Sequence, residues 1–158
     1  MTEKTKDLDI DSPLGPPPPP SSDATTATMK ANKGRDTGPE LLARKALRAA
    51  GVPGYRLHWK GIPGRPDICY PGRKIAVFVH GCYWHRCPHC DLPIPKSHTE
   101  FWKKKFAKNV KRDEEKIKKI KSLGWKIFVI WECQLKDDSN KAISEVIIEL
   151  KKKDKDDE

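Results

Sequence analysis

The sequence predicts an α/β domain, a mixed β-sheet flanked by helices. Three observations carry this. Two apolar runs of strand length, KIAVFVH at 74–80 and WKIFVIW at 125–131, are rich in β-branched and aromatic residues, as buried strands are. A long helical period lies between them, and the elements read in the order α-β-β-β-α-β-α. At 158 residues and 18.0 kDa the chain holds one ordinary domain and not two.

Residues 1–33 read as a disordered tail. Six of the 14 prolines fall there, five of them in the run Pro16–Pro20, and such a run is extended and builds no core. Met29 offers an alternative start. Ordered structure is expected from near Asp36. Thr37-Gly38-Pro39-Glu40 has the form of a capping box with proline in the first turn. The helix runs through LLARKALRAA to Gly51, with Leu41, Leu42, Ala46 and Leu47 on one side. Residues 55–59 alternate as a short strand. Gly61, Pro63 and Gly64 form a turn before a short strand at 65–70, and Pro71-Gly72 forms another. Residues 74–80 are the strongest strand. Residues 81–98, dense in Cys, His and Pro, have no period; a loop of that length needs something to hold it. A helix covers about 99–122, capped by Thr99, with Phe106, Val110, Ile117 and Ile120 in one apolar stripe. Gly124 ends it, and 125–131 is a second buried strand. A final helix over about 140–152 turns Ile143, Val146, Ile147 and Leu150 inward. The domain proper is thus expected over 34–137, with 138–158 a charged C-terminal helix or tail.

Charge is unevenly placed. The whole chain carries +10, yet residues 1–28 sum to −3 and 138–158 to −2, so the span 29–137 carries +15. A strongly basic core between mildly acidic ends points to a polyanion, with nucleic acid the default. An acidic membrane surface fits less well, because no long basic amphipathic helix with an aromatic face stands out. No run of 18 apolar residues exists to span a membrane. No charged start precedes an apolar stretch, so a cytoplasmic setting is expected.

Five cysteines occur without a secretory signal, which disfavours disulfides and favours metal ligation. Cys82-x4-Cys87-x2-Cys90 places three thiols within nine residues, and Cys133 lies just past a strand. Four thiolates make a tetrahedral zinc set, and a long loop without a core is where such an ion adds most stability. His89 could stand in for Cys90. Cys69 sits in a strand and reads as a small core residue. Asp113 interrupts the apolar stripe of the long helix, so its carboxylate points inward; it fits either a buried ion pair or a group orienting a histidine. Asp67 follows Pro66 at a strand start, and His80 ends the adjacent strand. Carboxylate, imidazole and Mg²⁺ together make a phosphodiester-cleaving set, although each residue alone also fits a turn or a satisfied strand end. Glu40 is accounted for by the capping box. His85 fits a metal ligand or a free base. Tyr83, Trp84 and Trp102 fit stacking against bases or packing around the metal loop.

The blocks GRDTGPE, PGRPD, FVHGCYWHRC, TEFW, KNVKRD and GWKIFVIWEC, in this order and spacing from Gly34 to Asp137, resemble the very-short-patch-repair (Vsr) DNA mismatch endonucleases. The resemblance implies a restriction-endonuclease-like fold with a structural zinc. It implies Mg²⁺-dependent nicking of one strand 5′ to the T of a T·G mismatch left by deamination of 5-methylcytosine. It assigns Asp67 to the catalytic metal and His80 to the metal-bound waters and scissile phosphate. His85 becomes the general base, Asp113 the acid that supports it, and Glu40 the helix glutamate that orders the metal waters. Tyr83, Trp84 and Trp102 become the aromatic wedge, and Cys82, Cys87, Cys90 and Cys133 the zinc ligands. One departure is Cys87, where many family members have a zinc histidine; the site here is all thiolate. A monomer acting on double-stranded DNA near the nucleoid, with a functional link to a cytosine-5 DNA methylase, is the expectation. The rivals are a restriction-type nuclease that cuts both strands and a non-catalytic, zinc-stabilised DNA-binding module. Three carboxylates and two histidines favour an enzyme, since a binding module has no need of an inward Asp113.

Overall fold

The computed structural model describes residues 12–19 and 36–152. Met29, the last proline of the run and the final six residues lie outside them, so the expected disorder of the tail is described only at 12–19, which contain neither helix nor strand. Helix α1 (Gly38–Ala49) starts with the expected capping box: Glu40 accepts from the Thr37 amide at 2.7 Å and the Thr37 hydroxyl accepts from Glu40 N at 3.4 Å. Its buried face is the expected one at Ala46 and Leu47, with Leu42 packed against the core, and departs from it at Leu41. Ala43, Arg44, Ala46 and Leu47 turn inward, whereas Leu41 is 51% exposed.

Strands β1 (Arg56–Leu57) and β2 (Ile68–Tyr70) form a hairpin, shorter at both arms than the sequence suggested. Positive φ at His58 and Arg65 ends β1 and delays β2, and Pro66 has no N–H to give a ladder. A 3₁₀ turn (Pro71–Arg73) leads to β3 (Ile75–His80), buried at every residue. Its neighbour β4 (Lys126–Trp131) pairs with it in parallel, in the order β1-β2-β3-β4, with the other pairings antiparallel. The expected mixed sheet is therefore present. β4 is not the buried strand that was expected: it is an edge, and only Ile130 is buried.

Burial on both faces explains the apolar run of β3. Ile75, Val77 and Val79 pack with Ala43, Leu47, Leu135, Ile143 and Val146 on one face. Ala76 and Phe78 pack with Ile62 and Ile120 on the other, beneath the long helix α3 (Thr99–Ser122). Three further corrections concern helices. Residues 82–85 of the expected loop form one helical turn, α2 (Cys82–His85). Thr99 does not cap α3; His98 precedes the helix at φ 55°, and Thr99 donates its hydroxyl back to Pro95 O and Lys96 O, each at 3.1 Å. The C-terminal helix begins early, as α4 (Glu132–Ala142), breaks at Asp138, and resumes as α5 (Ser144–Lys151). Gln134 makes the early start possible by accepting from the Trp131 amide at 3.1 Å.

Candidate active site and metal centre

Parallel pairing sets His80 opposite Trp131. Two residues further along each strand stand Cys82 and Cys133, so the sheet register itself brings them side by side. The turn α2 and the chain after it then add Cys87 and Cys90, and all four sulfurs lie within 4.8 Å of one another. Cys87 and Cys133 sulfurs are 3.7 Å apart. Thiolates at about 2.3 Å from one tetrahedral ion would stand about 3.8 Å apart. Backbone amides already point at two of them: Cys133 N donates to Cys82 Sγ and His89 N to Cys87 Sγ, both at 3.3 Å. Burial pushes the Cys82 thiol up to about 11, a cost that a bound cation would reverse. Of His89 and Cys90, Cys90 lies in the cluster, whereas His89 is exposed and outside it. Cys69 is fully buried in β2, as a core residue.

The same turn α2 delivers His85. Its Nδ1 stands 2.5 Å from Asp113 Oδ2, so the inward carboxylate of α3 orients an imidazole. His80 stacks on His85 with ring centroids 4.1 Å apart and planes 5° from parallel. Burial, then the neighbouring His85, lowers the His80 pKa from 6.5 to about 4, so this ring is neutral at pH 7.

A second cluster joins Glu40, Asp67 and His58, whose ligand atoms lie within 4.8 Å of one another. Glu40 is 3% exposed. Asp67 accepts from Val79 N at 2.8 Å, which ties it to the strand end carrying His80. Burial, then a hydrogen bond with Glu40, raises its pKa to about 7. Two adjacent carboxyl groups with an imidazole beside them have the donor chemistry of a divalent metal site. His58 escaped the sequence reading. Its signal is the hairpin: once the Gly61–Gly64 turn pairs Leu57 with Ile68, His58 must fall beside Asp67.

Lys116 acts electrostatically on both Asp67 and His80. Gly64 sets its place; a Cβ there, at φ +86°, would lie 3.5 Å from the Lys116 side chain and 3.2 Å from Ile120. Lys116 lines a shallow groove of about 260 Å³ with Trp84, His85, Lys105, Asn109, Arg112 and Asp113. Tyr83, Trp84 and Trp102 gather beside it around the buried Phe106: Trp84 and Trp102 centroids are 6.1 Å apart and Tyr83 lies 5.3 Å from Phe106. Asn109 donates to Trp84 O at 3.2 Å, holding α2 against α3.

The family described as DNA mismatch endonuclease Vsr matches residues 22–92. The Type II nicking enzyme V.XorIIP of Xanthomonas oryzae is 38% identical over 109 residues, covering 69% of this chain and 79% of that protein. The DNA mismatch endonuclease Vsr of Escherichia coli is 38% identical over 109 residues, covering 68% and 69%. The Type II nicking enzyme V.NmeAIP of Neisseria meningitidis is 42% identical over 109 residues, covering 69% and 75%.

Proposed function

Because the chain belongs to the Vsr family of DNA mismatch endonucleases and is a hydrolytic DNA endonuclease, we propose that it nicks one strand of duplex DNA, 5′ to the T of a T·G pair, with Mg²⁺. The observation that carries this reading is the placement of the His85–Asp113 pair beside Asp67, the two joined through the Val79–His80 strand end. Asp67 and Glu40 would hold the metal and its waters, and the ion would supply charge to the phosphate and leaving oxygens. Asp113 occupies His85 Nδ1, so the other ring nitrogen takes the proton of the attacking water. His80 is neutral at pH 7 and adds a hydrogen-bonding ring without a competing charge. Lys105, Arg112 and Lys116 meet the phosphate backbone along the groove. Tyr83, Trp84 and Trp102 press into the base step; a T·G pair is already distorted, so unstacking costs less there.

Zinc suits the four thiols by number, softness and spacing, and once bound it would make the 81–98 segment a folded platform. The architecture is that of a restriction-endonuclease-like domain. Cutting one strand needs one active centre, so the protein works as a monomer, at the nucleoid in the cytoplasm. A cytosine-5 methylase supplies the modified base whose deamination creates the lesion.

The test is nicking of end-labelled duplexes carrying T·G, U·G or matched pairs, with Mg²⁺ or EDTA. A Mg²⁺-dependent single nick on the T-bearing strand is expected. Cutting of both strands of matched DNA would favour a restriction-type nuclease, and binding without any cut would favour a binding module.

A further inference from the structure

We propose that His58 is a third ligand of the metal site made by Glu40 and Asp67, and that its imidazole tilts the site toward Mn²⁺ over Mg²⁺. The inference rests on the reading above that Asp67 holds the catalytic metal, and it adds a residue which that reading leaves without a role.

The geometry is pre-set by backbone. Glu40 is fixed by the capping box at Thr37, Asp67 by the Val79 amide, and His58 by its own N–H, which donates to Asp67 O at 3.2 Å. His58 sits at φ 47°, so the ring is placed by a turn and does not swing with a regular strand. His58 Nε2 stands 3.8 Å from Glu40 Oε1. Two ligands at about 2.1 Å from one octahedral ion are about 3.0 Å apart when adjacent and about 4.2 Å when opposite. The observed spacing lies between these values, so side-chain adjustment alone closes the site.

The chemistry points the same way. His58 Nε2 also faces Arg44 Nη2 at 3.5 Å, and a guanidinium only donates; in the tautomer that places a lone pair on Nε2, a bound ion would take that lone pair in place of the guanidinium contact. That lone pair and the carboxylate oxygens of Glu40 and Asp67 converge as acceptors. A cation is the natural occupant of such a space. Carboxylates alone suit Mg²⁺, whereas an imidazole among them favours ions that accept nitrogen. His80, His85 and Asp113 form a second group of donors, and the His85 variant below separates its contribution from that of His58.

The test uses the full chain with its zinc in place. Mn²⁺ and Mg²⁺ binding are measured by calorimetry, and pulsed electron paramagnetic resonance of the Mn²⁺-loaded protein reads directly coordinated nitrogen. Wild type should show a coordinated nitrogen. His58→Gln should lose that signal and bind Mn²⁺ at least about tenfold more weakly, with a much smaller change for Mg²⁺. His85→Gln should keep the signal. Absence of coordinated nitrogen in wild type overturns the inference without any variant. So does a signal that persists in His58→Gln, or in His58→Asn if the first variant loses zinc or melts early. Asp67→Asn separates the two levels: if it binds Mn²⁺ as wild type does, the underlying assignment of Asp67 fails; if it loses Mn²⁺ while His58→Gln keeps the nitrogen signal, only the role of His58 fails.

Discussion

Asp67 and His80 are pulled in opposite directions by the same cause, withdrawal from water. Asp67 stays protonated to about pH 7 in the fold, against an ordinary value of 3.8, so the folded state binds more protons between those limits. Its contribution makes stability fall as pH rises from about 4 to about 7. His80 loses its proton near pH 4 in the fold, against 6.5, so its contribution makes stability rise with pH over that range. The two partly cancel in the wild type. Without added divalent metal, Asp67→Asn should therefore gain melting temperature relative to wild type as pH goes from 4 to 7. A flat difference across that window would show that burial does not act on Asp67. A second residue-scale prediction concerns Asp113. Asp113→Asn leaves the shape but removes the charge that fixes His85, so single-turnover nicking of T·G duplex should fall by about 10²-fold or more, with binding nearly unchanged. Equal loss of binding and cutting would make Asp113 a packing residue. The inward carboxylate of Asp113 was legible from helical spacing. His58 was not, because its neighbour is chosen by a hairpin that only tertiary structure fixes.

At the scale of elements, the register of β3 with β4 decides where the metal centre lies. Cys133 stands in the first turn of α4, so it is the one thiol of the cluster through which a bound ion would join the edge strand and C-terminal helices to the 81–98 segment. Cys133→Ser should lower the melting temperature sharply and reduce zinc to well below about one per chain. Elemental analysis beside a thermal melt checks this; zinc-free wild-type protein with full activity would refute the centre. The strong strand, the long helix and the capping box could all be read locally, since each is set by period or by a cap. The edge character of β4 could not, because half-burial depends on what lies beyond the strand. Nor could the early start of α4, which hinges on Gln134 reaching back to the Trp131 amide.

For the molecule as a whole, the proposed function has +15 of charge over 29–137 supply sequence-independent affinity and the aromatic group supply discrimination. Trp84→Ala should therefore cut activity on T·G duplex far more than it weakens binding to matched DNA, while zinc content stays unchanged. Binding to matched DNA should remain steeply salt-dependent. If the variant instead loses zinc, and its folded fraction still prefers T·G as strongly as wild type, Trp84 is a packing residue of the metal loop.

The turn 82–85 places four candidate groups on consecutive residues: a thiol of the cysteine cluster, two aromatic rings and the imidazole paired with Asp113. Such a segment is unforgiving of spacing. One added residue between Trp84 and His85 swings everything after it by about 100° around the helix axis. Cys82 would keep its place while His85 parted from Asp113 and Cys87 and Cys90 shifted with it. Inserting a single alanine there should abolish nicking and reduce the number of thiolates bound, as Co²⁺-substituted absorption spectra would report. Among natural relatives the turn should accordingly stay constant in length.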